Sequence, residues 1–290
     1  ADPDDPTAKT LPPVLDSIMH TIMSYTYSNL QGQEGNEFSF HPTTPMVLDI
    51  AAMQYLYGAN NHYHAGNDIY TYTDTNTYHE TIWDAAGSSD TIQYAGAISS
   101  RIDLNPTNAS FIGEPVYVQS NGVSVGLPIP NVWIADNVII ENAIAGQGDD
   151  VLIGNDSSNI LDGDSGIDTV LVQAPRDNYT LSKSSGGYTV TANANPVNQD
   201  TLTHIERLEF NDIKLALDLD GSAGEVAKLL GAVFGASAAA NQDYVGIGLT
   251  EADRGLSYEQ LGELAIHTTG LTSHDKIVTL LWQNLFGAEP

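Results

Sequence analysis

Cysteine is absent from the 290 residues, which rules out both disulfides and thiolate metal ligands. Basic residues are scarce: nine Lys and Arg stand against 37 Asp and Glu, a formal charge of −28. A surface of that sign repels nucleic acid and anionic membrane, and its self-repulsion opposes a compact state unless cations neutralise it. No apolar run reaches the roughly 18 residues needed to span a bilayer. The opening ADPDDPTAKTLPPV is neither a basic-plus-apolar leader nor a helix start, so a soluble protein is expected, with any export signal elsewhere. What the chain does have is 41% apolar residues, enough to bury a sizeable core.

It also has a repeat. From Ala145 to Leu171 the sequence runs AGQGDDVLI, GNDSSNILD, GDSGIDTVL, three nonapeptides in one register. The fourth place holds Gly148, Ser157 and Gly166, the sixth Asp150, Asn159 and Asp168, and the eighth Leu152, Leu161 and Val170. Small residues permit a tight turn, the acid offers a hard oxygen ligand, and the apolar residue points inward on the strand that follows. If two nonapeptides make one coil of a parallel β-roll, Asp150 and Asp168, eighteen apart, lie above one another and can face one calcium ion. Backbone carbonyls of Gly146, Gly148, Gly163 and Ser165 would complete six oxygens. Glu141 holds the sixth place of the preceding, degenerate turn, and Asp90 has a comparable setting in AAGSSDTI; both are candidate ligands. The competing reading is a run of Asx turns on a solvated loop.

The hydrophobic pattern divides the chain in three. Residues 1–56 carry TPMVLDIAAMQYLYG, with Pro45 suited to a helix start, Ile50, Ala52, Met53 and Leu56 giving an apolar face, and Gly58 at the stop. Residues 57–217 change to short alternating runs such as DIYTYT, DTIQYAG, YTVTAN and IERLEF, an all-β pattern. Residues 218–290 return to helical period in three segments, GEVAKLLGAVFGA, SYEQLGELAIH and SHDKIVTLLWQNLFG. Ser257 with Gln260 forms a capping box, Ser273 is placed to cap the last helix, and Gly287 to end it. The expected fold is therefore mainly β with α: a β-roll or β-sandwich preceded by a helix and followed by a small helical domain.

Five blocks in order, TIMSYTYSN, PMVLDIAAMQYLYGAN, DTIWDAAGSSDTI, VIIENAIAGQGDDVLIGN and DTLTHIERLEF, resemble the second half of the serralysins over about residues 15–215. Serralysins are secreted bacterial zinc endopeptidases of the metzincin class, with calcium-binding repeats of the RTX type. The resemblance implies that Met23 is the methionine beneath the zinc site and that Tyr25 approaches the zinc and steadies the transition state. Core packing is the alternative for both. It also implies a calcium site on the carbonyls of His64 and Gly66 with Asp68, Asp84, Gly87 and Asp90, and a neighbouring ion between Ser88, Asp90, Ile139 and Glu141. Two departures from the family pattern stand out: the Asp84 to Asp90 segment is one residue longer, and His64 replaces a typical arginine.

The family's zinc motif HExxHxxGxxH is missing from the chain; His79-Glu80 begins it, but Trp83 stands where the second histidine belongs. Truncation is the simplest account, with zinc supplied by an upstream half of the protease. The resemblance then implies a calcium-binding portion that is inactive alone, exported through a one-step secretion apparatus and folding when it meets external calcium. A scaffold that has lost catalysis and serves extracellular binding or surface attachment is the alternative.

Overall fold

The computed structural model describes residues 11–13, 15–26 and 36–290, so most of the opening ADPDDPTAKTLPPV lies outside the described residues. The chain divides into two compact units, Ala1–Lys214 and Leu215–Pro290. Among the described residues, the first is mainly β with one α-helix, and the second carries four α-helices.

In the first unit short strands pair in parallel at a constant step. Asn142–Ile144 lies between Thr91–Tyr94 and Ile160–Asp162, with Asn142 opposite Ile160. Val151–Ile153 lies between Arg101–Asp103 and Thr169–Val172, with Val151 opposite Thr169. Partners within the repeat are thus eighteen positions apart, and the chain changes sheet every nine residues. Because successive side chains on a strand face opposite ways, alternate residues of each short strand point inward. These include Ile92, Ala143, Leu161 and Leu202 on one sheet and Ile102, Leu152, Val170 and Leu208 on the other, all at most 3% exposed.

Two insertions break the step. Residues 104–141 carry Ala109–Ser110 and Val132–Ile134, which pair with each other, the latter also with Glu80–Ile82. Residues 173–198 carry the hairpin of Tyr179–Ser184 and Gly187–Ala192, whose second strand joins Gln199–Thr203 antiparallel.

Helix α1 spans Val47–Tyr57 and ends at Gly58, but its cap is Met46 rather than Pro45. Met46 and Val47 are buried with Trp133, and Met19 packs against them. The apolar face expected on Ile50, Ala52, Met53 and Leu56 does not enter the core: Met53 and Leu56 are 56% and 65% exposed. The helix is apolar nearly all round, so its pattern names no single face.

In the second unit the helices are α2 (Ser222–Phe234), α3 (Gln242–Asp253), α4 (Tyr258–Thr268) and α5 (His274–Phe286). Three of these match the expected segments, whereas α3 was not expected. Val226, Leu230, Ala238 and Leu261 form the core, with Leu229, Val245 and Leu249 packed against it. The capping box of Ser257 and Gln260 is made in both directions, 3.4 Å from the Gln260 amide to Ser257 Oγ and 2.9 Å from the Ser257 amide to Gln260 Oε1. Ser257→Ala should therefore lower the stability of this unit by about 1 kcal/mol, checked by helical circular dichroism against temperature. Ser273 holds the cap position of α5, but its side chain makes no cap hydrogen bond; Gly287 ends the helix in the left-handed region at φ +68.

Candidate metal centre

The nonapeptide turns stack. The Gln147 amide donates to the Gly96 carbonyl at 2.7 Å and the Ser165 amide to the Gly146 carbonyl at 3.1 Å, so turns 96–100, 146–150 and 163–168 lie one on another. Carboxylates tie each turn to the next. Asp150 Oδ1 accepts the Ser100 amide at 2.5 Å, Asp168 Oδ1 accepts the Asp150 amide at 2.7 Å, and Glu206 Oε2 accepts the Asp168 amide at 2.8 Å. Asp150 and Asp168 are both buried.

The two acids are not equally satisfied. Asp150 also takes the Gly146 amide on Oδ2 at 3.0 Å, whereas Asp168 Oδ2 is buried with no hydrogen-bond partner. Burial, with the charges of Asp150, Glu206 and Asp149 behind it, pushes the Asp168 carboxyl up to about 7. Asp150 is raised as well, chiefly by burial, against the pull of the Ser100 and Gly146 amides. Gly163 must be glycine here: a Cβ would lie 2.1 Å from the His204 carbonyl oxygen and 2.5 Å from Asp168 Oδ2. Of the expected ligands on this edge, the structure stacks Asp150 over Asp168 and their turns together. The Gly146 carbonyl is already engaged by Ser165.

On the opposite edge Asp68, Asp84 and Asp90 bring carboxylate oxygens within 4.8 Å of one another. The Asp68 amide donates to Asp90 Oδ1 at 2.7 Å and the Asp90 amide to Glu141 Oε2 at 2.7 Å, the same turn-to-turn ladder. Asp90 Oδ2 is buried without a partner, and burial followed by the charges of Asp84, Glu141 and Asp68 raises that carboxyl. Tyr70 donates its hydroxyl to Asp84 Oδ2 at 2.6 Å. His64 meets Asp68 through Nδ1 at 3.0 Å, while its carbonyl accepts the Ala85 and Ala86 amides. Gly87 abuts the Asp90 carboxylate, and Ser88 hydrogen-bonds Asn67 through both its amide and hydroxyl. Ile139 is 53% exposed, and Gly66 stands in open space.

Asn159 carries the position equivalent to Asp90 without a charge. Its amide donates to Asp200 Oδ1 at 2.9 Å, and burial pushes Asp200 up to about 6. A carboxyl raised on folding favours the protonated native state, so its contribution is full below pH about 4 and is lost as pH rises to about 6. Asp200→Asn should flatten that slope and add about 1 kcal/mol at pH 7. Urea unfolding at fixed calcium across pH 4–8 measures it, and an unchanged slope would refute the assignment.

Met23 and Tyr25 sit on a turn hung from α1. Asp49 accepts the Thr21 hydroxyl at 2.6 Å and the Ile22 amide at 2.9 Å, and the Leu48 amide donates to the His20 carbonyl at 2.9 Å. Met23 is 78% and Tyr25 97% exposed, so neither is packed in the core. His79, by contrast, is buried against Trp133 and Phe38 with Nδ1 on the Phe40 carbonyl, away from any role as a surface ligand.

Residues 47–241 match the family described as Peptidase M10 serralysin C terminal. The serralysin of Proteus mirabilis is 37% identical over 164 residues, 50% of this chain and 29% of the relative. The serralysin of Photorhabdus luminescens is 37% identical over 159 residues, 50% and 29%. Metalloprotease AprA of Pseudomonas entomophila is 33% identical over 174 residues, 54% and 33%. The aligned part thus spans about a third of the length of these curated relatives. Helix α1, the coil and its carboxylate turns all fall within the matched residues, and the chain belongs to the serralysin C-terminal family of peptidases.

Proposed function

We propose that this chain is the calcium-binding C-terminal portion of a secreted serralysin-like metalloendopeptidase, in which ions held between stacked turns drive folding of an RTX-type parallel β-roll. The observation that carries this reading is the pair of buried, unpartnered carboxylate oxygens, Asp168 Oδ2 and Asp90 Oδ2, on carboxyls that feel the charges of neighbouring acids. A buried anion without a donor is costly, and a hard divalent cation is the partner that removes the cost. Asp150, Asp168 and the carbonyls of Gly148, Gly163 and Ser165 would hold one ion. Asp68, Asp84 and Asp90 would hold a second, and Asp90 with Glu141, Ser88 and the Ile139 carbonyl a third. Glu206 extends the first ladder by one more carboxylate.

The division into residues 1–56, 57–217 and 218–290 belongs to the same reading. The first part supplies the floor beneath a zinc site, the second the calcium coil, and the third a helical appendage. Zinc fits only with an upstream segment bearing three histidines and a glutamate, where it would polarise the peptide carbonyl and activate water. Exposure of Met23 and Tyr25 suits that role, since both side chains stand free to meet such a segment. Export through a bacterial secretion apparatus in the unfolded state, with folding outside the cell, follows from coupling metal binding to folding.

The test is caseinolysis by the complete gene product. Activity abolished by a zinc chelator, with this chain alone inactive, supports the reading. A gene product without an upstream HExxHxxGxxH segment, or one inert toward casein with zinc bound, overturns it.

A further inference from the structure

Two histidines brace the N-terminal end of α1. His79 is wholly buried: its ring stacks on Trp133 at 5.6 Å, tilts against Phe38 at 5.1 Å, and sets Nδ1 2.8 Å from the Phe40 carbonyl. A carbonyl only accepts, so Nδ1 carries the proton and Nε2 is a lone pair. The His79 carbonyl takes the Thr43 amide at 2.8 Å, and the Thr81 amide donates to Thr44 Oγ1 at 2.8 Å. Residues 40–44 are thus clamped to 79–81 at three points just before Met46 caps the helix. Trp133 in turn packs against Met46 and Val47. His20 holds the same end from another segment: its carbonyl accepts the Leu48 amide at 2.9 Å, and Met19 beside it packs on the Met46, Val47 and Trp133 cluster.

Each ring has one nitrogen sealed from solvent without a hydrogen-bond partner, Nδ1 of His20 and Nε2 of His79. A neutral imidazole can leave its unprotonated nitrogen there. An imidazolium bears N–H on both nitrogens, so charging either ring puts a charge and an unpaired donor into the wall. The Trp133 face attracts a cation but cannot accept an in-plane N–H. Burial lowers both rings from the ordinary 6.5; at His79 the Phe40 carbonyl opposes this and the charge of His41 adds to it. The acids on the surrounding elements are engaged or turned elsewhere. Glu37 alternates with Phe38 on its strand, and Glu80 takes the Tyr72 hydroxyl. Asp49 takes the Thr21 hydroxyl with the Ile22 and Met46 amides, and Asp16 takes the Ser24 hydroxyl.

We propose that His20 and His79 form an acid-sensitive latch on α1: when the helix end opens, protons taken up by these rings hold it open, freeing residues 40–44 and the Met23 turn that Asp49 hangs from the helix. Above pH about 6.5 both rings are neutral whether the latch is open or closed, and its full strength is present. Below that pH the open state binds protons that the closed state refuses, so the latch weakens as pH falls. The raised carboxyls of Asp90, Asp168 and Asp200 act with the opposite sign, favouring the native state in acid. The consequence for catalysis rests on the function proposed above, in which Met23 and Tyr25 stand beneath zinc; the latch is read on this chain without zinc, so the two fail separately.

The test is hydrogen exchange of the full chain in excess calcium from about pH 5 to about pH 8, corrected for the intrinsic exchange rate. Protection of the Val47–Tyr57 amides should fall by up to about tenfold per pH unit and per histidine below pH about 6.5. His20→Gln combined with His79→Asn, the latter keeping a donor for the Phe40 carbonyl, should abolish that dependence. The coil strand Val151–Ile153 is the control, and its pH dependence should be the same in both proteins. Ring-proton magnetic resonance of the unsubstituted chain needs no variant to fold, and both rings should titrate below 6.5. Protection of α1 independent of pH, an acid loss that survives the double substitution, or either ring titrating at or above about 6.5 would each overturn the proposal.

Discussion

Chelating calcium should lower the melting temperature of the Ala1–Lys214 unit by roughly 10–20 °C, the expected yield of the two proposed sites built on an unpartnered carboxylate oxygen, at about 2.7 kcal/mol each with free ion a hundredfold above Kd. The reasoning begins with charge. A chain with 37 acids and 9 bases stacks carboxylates turn upon turn along both edges of its coil, so the native state concentrates repulsion that the unfolded chain spreads out. Ions between turns would cancel that repulsion and satisfy Asp168 Oδ2 on one edge and Asp90 Oδ2 on the other. Circular dichroism with and without chelator should show loss of β signal while the helical signal of α2 to α5 persists to higher temperature. The inner rows of Leu152, Leu161 and Val170 are the same with or without metal, so the effect should be a shift of the transition and not its disappearance when salt screens the acids. A melting temperature unmoved by chelation would mean that hydrophobic burial and the N–H to carboxylate ladder suffice, and the calcium reading would fall.

What the sequence discloses about this fold depends on whether the nine-residue step is uninterrupted. Between Ala145 and Leu171 nothing is inserted, and the sixth and eighth places can be read directly. Beyond that window the same geometry continues, hidden. Glu206 stands one residue before the strand Arg207–Phe210 just as Asp168 stands before Thr169–Val172, but a hairpin intervenes and the interval is 38 residues instead of 18. Ser100 similarly occupies the place above Asp150 at an interval of 50, with residues 104–141 inserted. The signal that could have found Glu206 is local: a carboxylate immediately before a short alternating strand. Asp49, which holds the Met23 turn, had no such signal, since a helical aspartate carries no mark of which loop it will cap. Helix α3 escaped because Gly246 and Gly248 weaken its helical pattern. The reason for Gly248 is tertiary: a Cβ there would lie 2.5 Å from Val226 Cγ1 of α2. The resemblance carried Asp68, Asp84 and Asp90 into one set where spacing alone could not, because their convergence depends on strands that pair across 22 residues.

The second large effect is a change of sign. Asp168→Asn should make the protein more stable without calcium and less stable with it. In the metal-free state the substitution keeps an acceptor for the Asp150 amide and removes a carboxylate crowded by Asp150, Glu206 and Asp149, whose carboxyl otherwise rises to about 7. At pH 8 that acid is ionised at a cost, and neutralising it is worth on the order of 2 kcal/mol after discounting the fraction of its field that water screens. The gain should fade below pH about 7, where the native carboxyl takes up its own proton. With calcium the balance reverses, because the ion loses a charged ligand and binds about a hundredfold more weakly, a penalty of about 2.7 kcal/mol that exceeds the relief. Asp150→Asn should differ: both Asp150 oxygens already accept backbone amides, so replacing one of them by an amide nitrogen sets donor against donor and costs stability in either buffer. Urea unfolding of the three proteins at pH 8, in excess calcium and in chelator, reads all of this. Asp168→Asn losing stability equally in both buffers would make Asp168 a turn-capping residue and no ligand, since only a cation at the unpartnered oxygen turns the substitution from a relief into a loss.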